Sequence, residues 1–251
     1  MRVFHIVATL GLLAASPAFA ADIVTITPNP APSGQAQSPA PFTYRGTSGS
    51  RTQQVYASSF FSGPQMLTSL AFRSTPGFRN GANYTSVNIS LSTTMFGDET
   101  GTPLSADFSS NIGSDVMRVY QGAISFAAPT TDGFEYIVNF ENAFRYDPSM
   151  GNLLLDVTIP VGSSVDGPGF FLASYDTANS FDDGVYSVNS VFDGAATSGI
   201  ANTAGTITQF TGTALAGAVP EPDTWALMIG GFGIVGGAMR RRRVSTKAVF
   251  A

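Results

Sequence analysis

The sequence predicts an all-β protein: an antiparallel β-sandwich of jelly-roll type, with a transmembrane helix appended at its C-terminal end. Three observations carry that expectation. Apolar residues recur at period two in about nine runs of strand length after residue 50. Asp-Gly pairs at Asp132-Gly133, Asp166-Gly167, Asp183-Gly184 and Asp193-Gly194 can supply the positive φ that tight turns require. No window ahead of the tail repeats apolar residues at helical spacing, whereas the tail itself is an uncharged run ending in four arginines.

Taken in order, Met1-Arg2 is a small basic start, Val3 to Ala15 an apolar run, and Ser16-Pro17 a helix break. Ala18 and Ala20 then occupy the small-residue positions of an A-x-A cleavage site, so residues 1–20 read as a secretory signal peptide cut after Ala20. The apolar run is shorter than the roughly 20 residues a membrane span needs. Residues 21–211 form the expected ectodomain, a length that all-β sandwiches commonly fold as one domain. Asp22 to Thr27 alternates as a first strand, with Val24 and Ile26 on one face and Ile23 on the other. The proline-rich stretch 28–41 reads as a surface loop.

Strands are expected over Gln53 to Phe61, Met66 to Arg73, Tyr84 to Thr94, Val116 to Phe126, Phe134 to Phe140, Asn152 to Ile159, Gly169 to Tyr175, Val185 to Phe192 and Thr206 to Phe210. Within them Val87, Ile89 and Leu91 share one face. Leu153, Leu155, Val157 and Ile159 likewise point inward, leaving Asp156 and Thr158 on a wet face. Residues 212–219, mostly small, read as a linker.

Composition then excludes several chemistries. Between residues 21 and 219 six arginines face fifteen acidic residues, a balance of −9, so nucleic acid and anionic lipid are disfavoured as partners. Neutral polymers and divalent cations suit that charge better. The chain has no cysteine, and its one histidine, His5, leaves with the signal peptide. No Ser-His-Asp or Cys-His site, and no histidine or thiolate metal ligand, can be built from what remains.

The C-terminal stretch is the most specific part. From Trp225 to Met239 there are fifteen uncharged residues, about 22 Å as a helix and short of the roughly 30 Å hydrocarbon core. Trp225 stands where an interfacial aromatic would, and Arg240, Arg241, Arg242 and Arg243 mark a cytoplasmic boundary. Pro220 and Pro222 force an extended entry. A transmembrane helix is therefore expected over 225–239, its five glycines from Gly230 to Gly237 making it a poor permanent anchor. Residues 244–251 would be a cytoplasmic extension.

Pro220-Glu221-Pro222, then Trp225-Ala226, the apolar run and the arginine cluster resemble the PEP-CTERM sorting signal in its PEPxxWA form. The resemblance covers Val219 to Arg243. It implies export, transient retention in the inner membrane, recognition by an exosortase-type transpeptidase, cleavage near Pro220 to Pro222, and release or surface attachment, often beside exopolysaccharide. The eight residues after Arg243 depart from the usual ending. A second, weaker similarity, carried by Leu70 to Arg73, Val87 to Thr94, Phe144 to Pro148 and Gly151 to Val157, is to the body of secreted proteins that bear this same tail. It implies a β-rich exported domain and adds no catalytic residue.

Three further candidate sites are weighed. Glu135 and Glu141 would stand about 20 Å apart if both lie on one strand, too far for a glycosidase pair, and read better as a solvated face. Asp176, Asp182, Asp183 and Asp193, with Asn179 and Asn189, form an oxygen-rich region suited to calcium, although turn formation explains the same residues more simply. Without an ectodomain tryptophan, a sugar platform would need Tyr44, Tyr56, Tyr84, Tyr175 or Tyr186, which otherwise read as half-buried strand residues with wet hydroxyls. The expected function is an exported, non-catalytic surface or matrix protein with no obligatory cofactor. A secreted carbohydrate-binding module or hydrolase is the alternative.

Overall fold

The computed structural model describes residues 22–28, 36–38, 40–42, 47–74, 79–97, 104–166, 172–175, 183–190, 192–203, 205–215, 227–234 and 236. The chain divides into two compact units, Met1–Leu215 and Ala216–Ala251. The strands of the first are β1 (Asp22–Thr27), β2 (Ala36–Ser38), β3 (Ser50–Tyr56), β4 (Gln65–Phe72), β5 (Ala82–Thr94), β6 (Met117–Phe126) and β7 (Tyr136–Tyr146). They continue as β8 (Asn152–Ile159), β9 (Val165–Asp166), β10 (Leu172–Tyr175), β11 (Val185–Ser190), β12 (Ile200–Asn202), β13 (Gly205–Thr206) and β14 (Thr208–Ala214). One four-residue helix, α1 (Phe108–Asn111), interrupts them. Every strand expected from the alternating pattern has a counterpart, and all pairings between strands are antiparallel.

Two large sheets make the sandwich. The smaller, here called the A sheet, runs β1-β14-β4-β7; the larger, the C sheet, runs β12-β11-β3-β8-β5-β6 with β9 beside β5. A third, short sheet runs β13-β10-β2. The chain crosses from one large sheet to the other at β3–β4, β4–β5, β6–β7 and β7–β8. Between the sheets lies the main core: Leu70, Phe72, Tyr136, Phe144 and Phe210 from the A sheet meet Tyr56, Ile89, Phe126, Leu155 and Val157 from the C sheet. Edge-to-face rings add specificity, for example Tyr56 on Phe210 at 5.0 Å and Phe126 on Tyr136 at 5.5 Å between centroids.

Several expectations need correcting. Leu153, Leu155, Val157 and Ile159 do face the core, but Leu154 and Asp156 are buried too. The reason is a second cluster on the far face of the C sheet, where Val55, Leu154, Tyr186 and Val188 pack under Leu104 and Phe108. The segment carrying Leu104 and Phe108 is stapled down by Phe108 N–H to Thr197 O (3.0 Å) and Gly199 N–H to Ala106 O (2.9 Å). The run expected as a strand through Phe61 leaves the sheet at Tyr56 and turns through a 3₁₀ segment, Ser58–Phe60. Inside the stretch 28–41, read as surface loop, residues 36–38 pair with β10, and Pro41 is buried. The adjoining Phe42 wedges among Phe72, Tyr84 and Phe126. β1 buries Thr25 and Thr27, paired with the buried Phe210 and Thr208, and leaves Val24 55% exposed, because Val24 points to the opposite face of the sheet with its partner Thr211.

The domain also runs past its expected boundary at 211. β14 continues to Ala214, and Leu215 N–H bonds Pro64 O at 3.0 Å, so residues 212–215 of the expected linker belong to the sandwich, while 216–219 lie outside the described residues. Small residues misled the reading: a ladder accepts them, and Gly212 is required there, since a Cβ would sit 2.6 Å from Met66 O. Of the Asp-Gly pairs with a described glycine, only Gly184 adopts positive φ (70°), at the entrance to β11. Gly194 is needed for a different reason, a Cβ there meeting Ile159 O at 2.2 Å.

In the second unit, residues 227–234 and 236 are helical. Among the described residues no helix is long and apolar enough to cross a membrane.

Candidate functional site

Among the described residues of the first unit, an open cleft of about 540 Å³ lies where the end of β5, the loop around α1 and the turn between β7 and β8 converge. Its polar lining includes Asp115, Asp147 and Arg145, and its mouth carries Met95 and Met150, 74% and 67% exposed. Each wall has a local cause. Gly113 lets the loop before β6 lie against β5, where a Cβ would meet Thr93 O at 1.8 Å. Asp115 then fastens that loop, accepting from Thr93 N–H (2.8 Å) and the Thr93 hydroxyl (2.6 Å). Across the cleft Asp147 caps the 3₁₀ turn Pro148–Met150, accepting from the Ser149 hydroxyl (2.7 Å) and Ser149 N–H (3.1 Å). Those bonds, the hydroxyl's first, hold the Asp147 carboxyl below the usual carboxylate range.

A buried polar network supports α1 from beneath. Asp156 accepts a two-pronged bond from Arg51, Nε to Oδ1 at 3.1 Å and Nη2 to Oδ2 at 2.6 Å, and a third from Gln53 Nε2 at 2.8 Å. Gln53 also donates to Phe108 O (3.0 Å) and accepts from Asn111 Nδ2 (2.9 Å). The Arg51 guanidinium lies 4.7 Å from the Phe108 ring centroid. Asn111, a cleft residue, is thereby tied to the centre of the C sheet.

The other candidates resolve as follows. Asp183 and Asp193 flank opposite ends of β11, a strand of about 20 Å. Each accepts from a backbone N–H two residues on, Asp183 from Val185 (3.0 Å) and Asp193 from Ala195 (2.8 Å). Asp182 lies outside the described residues, among which no three His, Cys, Asp or Glu side chains gather as for a metal. Tyr56, Tyr84 and Tyr186 are buried rather than half-wet. The Tyr56 hydroxyl is hydrogen-bonded to Thr208 Oγ1 at 2.6 Å, the Tyr84 hydroxyl donates to Phe42 O at 2.9 Å, and burial raises both phenols. No sugar platform can be built from them. Tyr44 is outside the described residues, and the Tyr175 side chain likewise.

Glu135 stands just ahead of β7 rather than in it, while Glu141 is exposed on that strand. The Glu135 carboxylate sits in a cradle of Thr131 Oγ1, Thr131 N–H (2.7 Å) and Thr130 N–H (3.0 Å), which brings its pKa down to about 2, the Thr131 hydroxyl contributing most. The residues reading missed are those of the cleft. Asp115 and Asp147 carry turn signals, Gly113-Ser114-Asp115 and Asp147-Pro148, but nothing in one dimension shows that the two turns meet.

Ala18 and Ala20, expected at a signal-peptide cleavage site, and the tail residues Pro220, Glu221, Pro222, Trp225, Ala226 and Arg240 to Arg243, also lie outside the described residues. For the tail, comparison with known families is decisive. The family model described as the PEP-CTERM protein-sorting motif matches residues 218–243. No curated protein and no solved structure matches the chain. The chain carries a PEP-CTERM protein-sorting motif, which implies export, a transient C-terminal membrane anchor and processing by an exosortase-type enzyme.

Proposed function

We propose that this chain is a surface or matrix component, delivered through the inner membrane and freed from it by the sorting enzyme, with its β-sandwich serving as a non-catalytic module near exopolysaccharide. The observation that carries the proposal is the sorting motif at 218–243. Composition supports the non-catalytic part, because the exported chain has neither histidine nor cysteine to act as a base or nucleophile. So does the state of Asp147, since a glycosidase acid needs a raised pKa and this one is lowered. The test is intact-mass measurement of the protein recovered from the cell surface and from the medium. The expected species begins after Ala20 and ends near Pro220 to Pro222, with any added mass identifying the attached group. Recovery only of the uncut chain would overturn the proposal.

A second reading, a carbohydrate-binding or carbohydrate-active module, draws on the cleft alone, whose size is within the roughly 300–1,000 Å³ of small-molecule sites. Retention of the chain on exopolysaccharide that is lost in an Asp115→Asn/Asp147→Asn variant would favour it. No cofactor enters either reading. Millimolar calcium is expected to leave the melting temperature unchanged, and a rise would restore Asp183 and Asp193 as ligands.

A further inference from the structure

We propose that one rim of the sandwich, the rim bearing the cleft, is the surface that docks on the sorting enzyme's extracytoplasmic face. The proposal rests on the sorting reading above and adds where the partner must touch.

Strand register defines the rim. Asp22 pairs with Thr213, and Gln65 pairs with both Ala214 and Tyr146, so the starts of β1 and β4 and the ends of β7 and β14 share one end of the A sheet. Thr94 pairs with Asn152, and β7 reaches β8 through only residues 147–151, which puts the end of β5 and the start of β8 at that same end of the sandwich. The cleft opens here, because Thr94, Met95, Arg145, Asp147 and Met150 all line it. In the A sheet β7 lies two strands from β14, about 10 Å away. The chain leaves the domain beside its own cleft.

Reach supplies the second step. Among the described residues Leu215 is the last bonded to the sandwich, through Pro64 O, and in the sequence residues 216–219 separate it from Pro220. Five steps of chain span at most about 18 Å. Even a domain of about 100 residues has a radius of gyration of about 13 Å. An enzyme that seats Pro220 to Pro222 in an active site therefore brings its surface onto this rim. The rim has the side chains to meet a protein: Met95 and Met150 are exposed, long and adaptable, and methionine is enriched in interface cores.

The test uses the full chain expressed with its sorting enzyme, processing being followed by pulse-chase and intact mass. Met95→Asp/Met150→Asp is expected to slow processing about fivefold, the order that loss of two interface contacts gives. Because both side chains are exposed, its melting temperature should match the parent's. Inserting about fifteen Gly and Ser residues after Leu215, which extend to about 50 Å, should bring the double variant to within about twofold of a parent carrying the same spacer, because neither rim is then held against the enzyme. Wild-type processing by the double variant, or slowing that the long spacer does not relieve, would overturn the proposal. Glu221→Ala/Pro222→Ala, run beside them, should abolish processing. If it does not, the sorting reading itself fails and the rim proposal falls with it.

Discussion

The two large sheets of this sandwich start from the same kind of sequence and end in different surroundings. The A sheet has a wet outer face: Ile137 is 54% exposed, and Glu141 and Arg145 are exposed with it. The C sheet has no such face over β3, β8 and β11, where Val55, Leu154, Tyr186 and Val188 lie under Leu104 and Phe108. Burial on both sides turns β8 from an alternating strand into one with seven of its eight residues buried. Polar residues on that covered face then serve a different end. Asp156 and Gln53 act as the hooks that hold α1 and, through Asn111, one wall of the cleft.

The largest test of this difference compares one apolar residue on each outer face. Leu154→Ala should cost about 2–5 kcal/mol, because it opens a cavity in a packed layer, whereas Ile137→Ala should stay within about 0.5 kcal/mol. Urea titration of both variants measures it. Equal, small effects would mean that the layer over the C sheet is not packed.

Next comes the network beneath α1. Asp156→Ala leaves the Arg51 guanidinium, with a side chain only 22% exposed, without its carboxylate. Loss of one partner from a buried pair costs about 3–5 kcal/mol, and partial solvent contact here places the expectation near the lower bound. The matched replacement Arg51→Met/Asp156→Leu should recover most of that loss, since it removes both charges and keeps the volume. If the double variant is no better than the single, the cost comes from packing and not from the stranded charge. Asn111→Ala should be milder, about 1–2 kcal/mol, and should leave Gln53 Oε1 without its donor.

Legibility followed the same division. On the A sheet, and on the inner face of the C sheet, period-two spacing located the strands, because one face of each was dry and the other wet. On the outer face of the C sheet that logic failed at Asp156. A charged residue between leucines reads as solvent-facing unless its cover is known. The cover left only a faint trace in the sequence: Leu104, Phe108 and Ile112 stand four apart, with Asp107 as N-cap, yet just four residues become helical. The cleft was unreadable for a related reason, since its walls come from turns after β5, before β6 and after β7, which are not contiguous in the chain. The sorting motif was fully legible, because its recognition depends on a contiguous run and not on folding.

The smallest expected effect sits on the wet side of the comparison, at the entrance to β7. Glu135 holds its carboxylate in hydrogen bonds from Thr130 and Thr131 while remaining accessible to water, so its contribution is one of protonation and not of packing. Its pKa falls from the ordinary 4.5 to about 2 in the fold, so the unfolded chain takes up the proton first as acid is added. The stabilisation is complete above the ordinary value and drains away as the pH drops from about 4.5 toward about 2. Thr131→Ala should move the Glu135 titration upward by removing its largest cause, and should narrow the gap between stability at neutral and at acid pH by lowering the neutral value while leaving the acid value unchanged. Carboxyl chemical shifts followed across the acid range measure the pKa directly. An unmoved Glu135 in that variant would assign its depression to the backbone amides of Thr130 and Thr131, making the cradle a property of the turn and not of the threonine side chain.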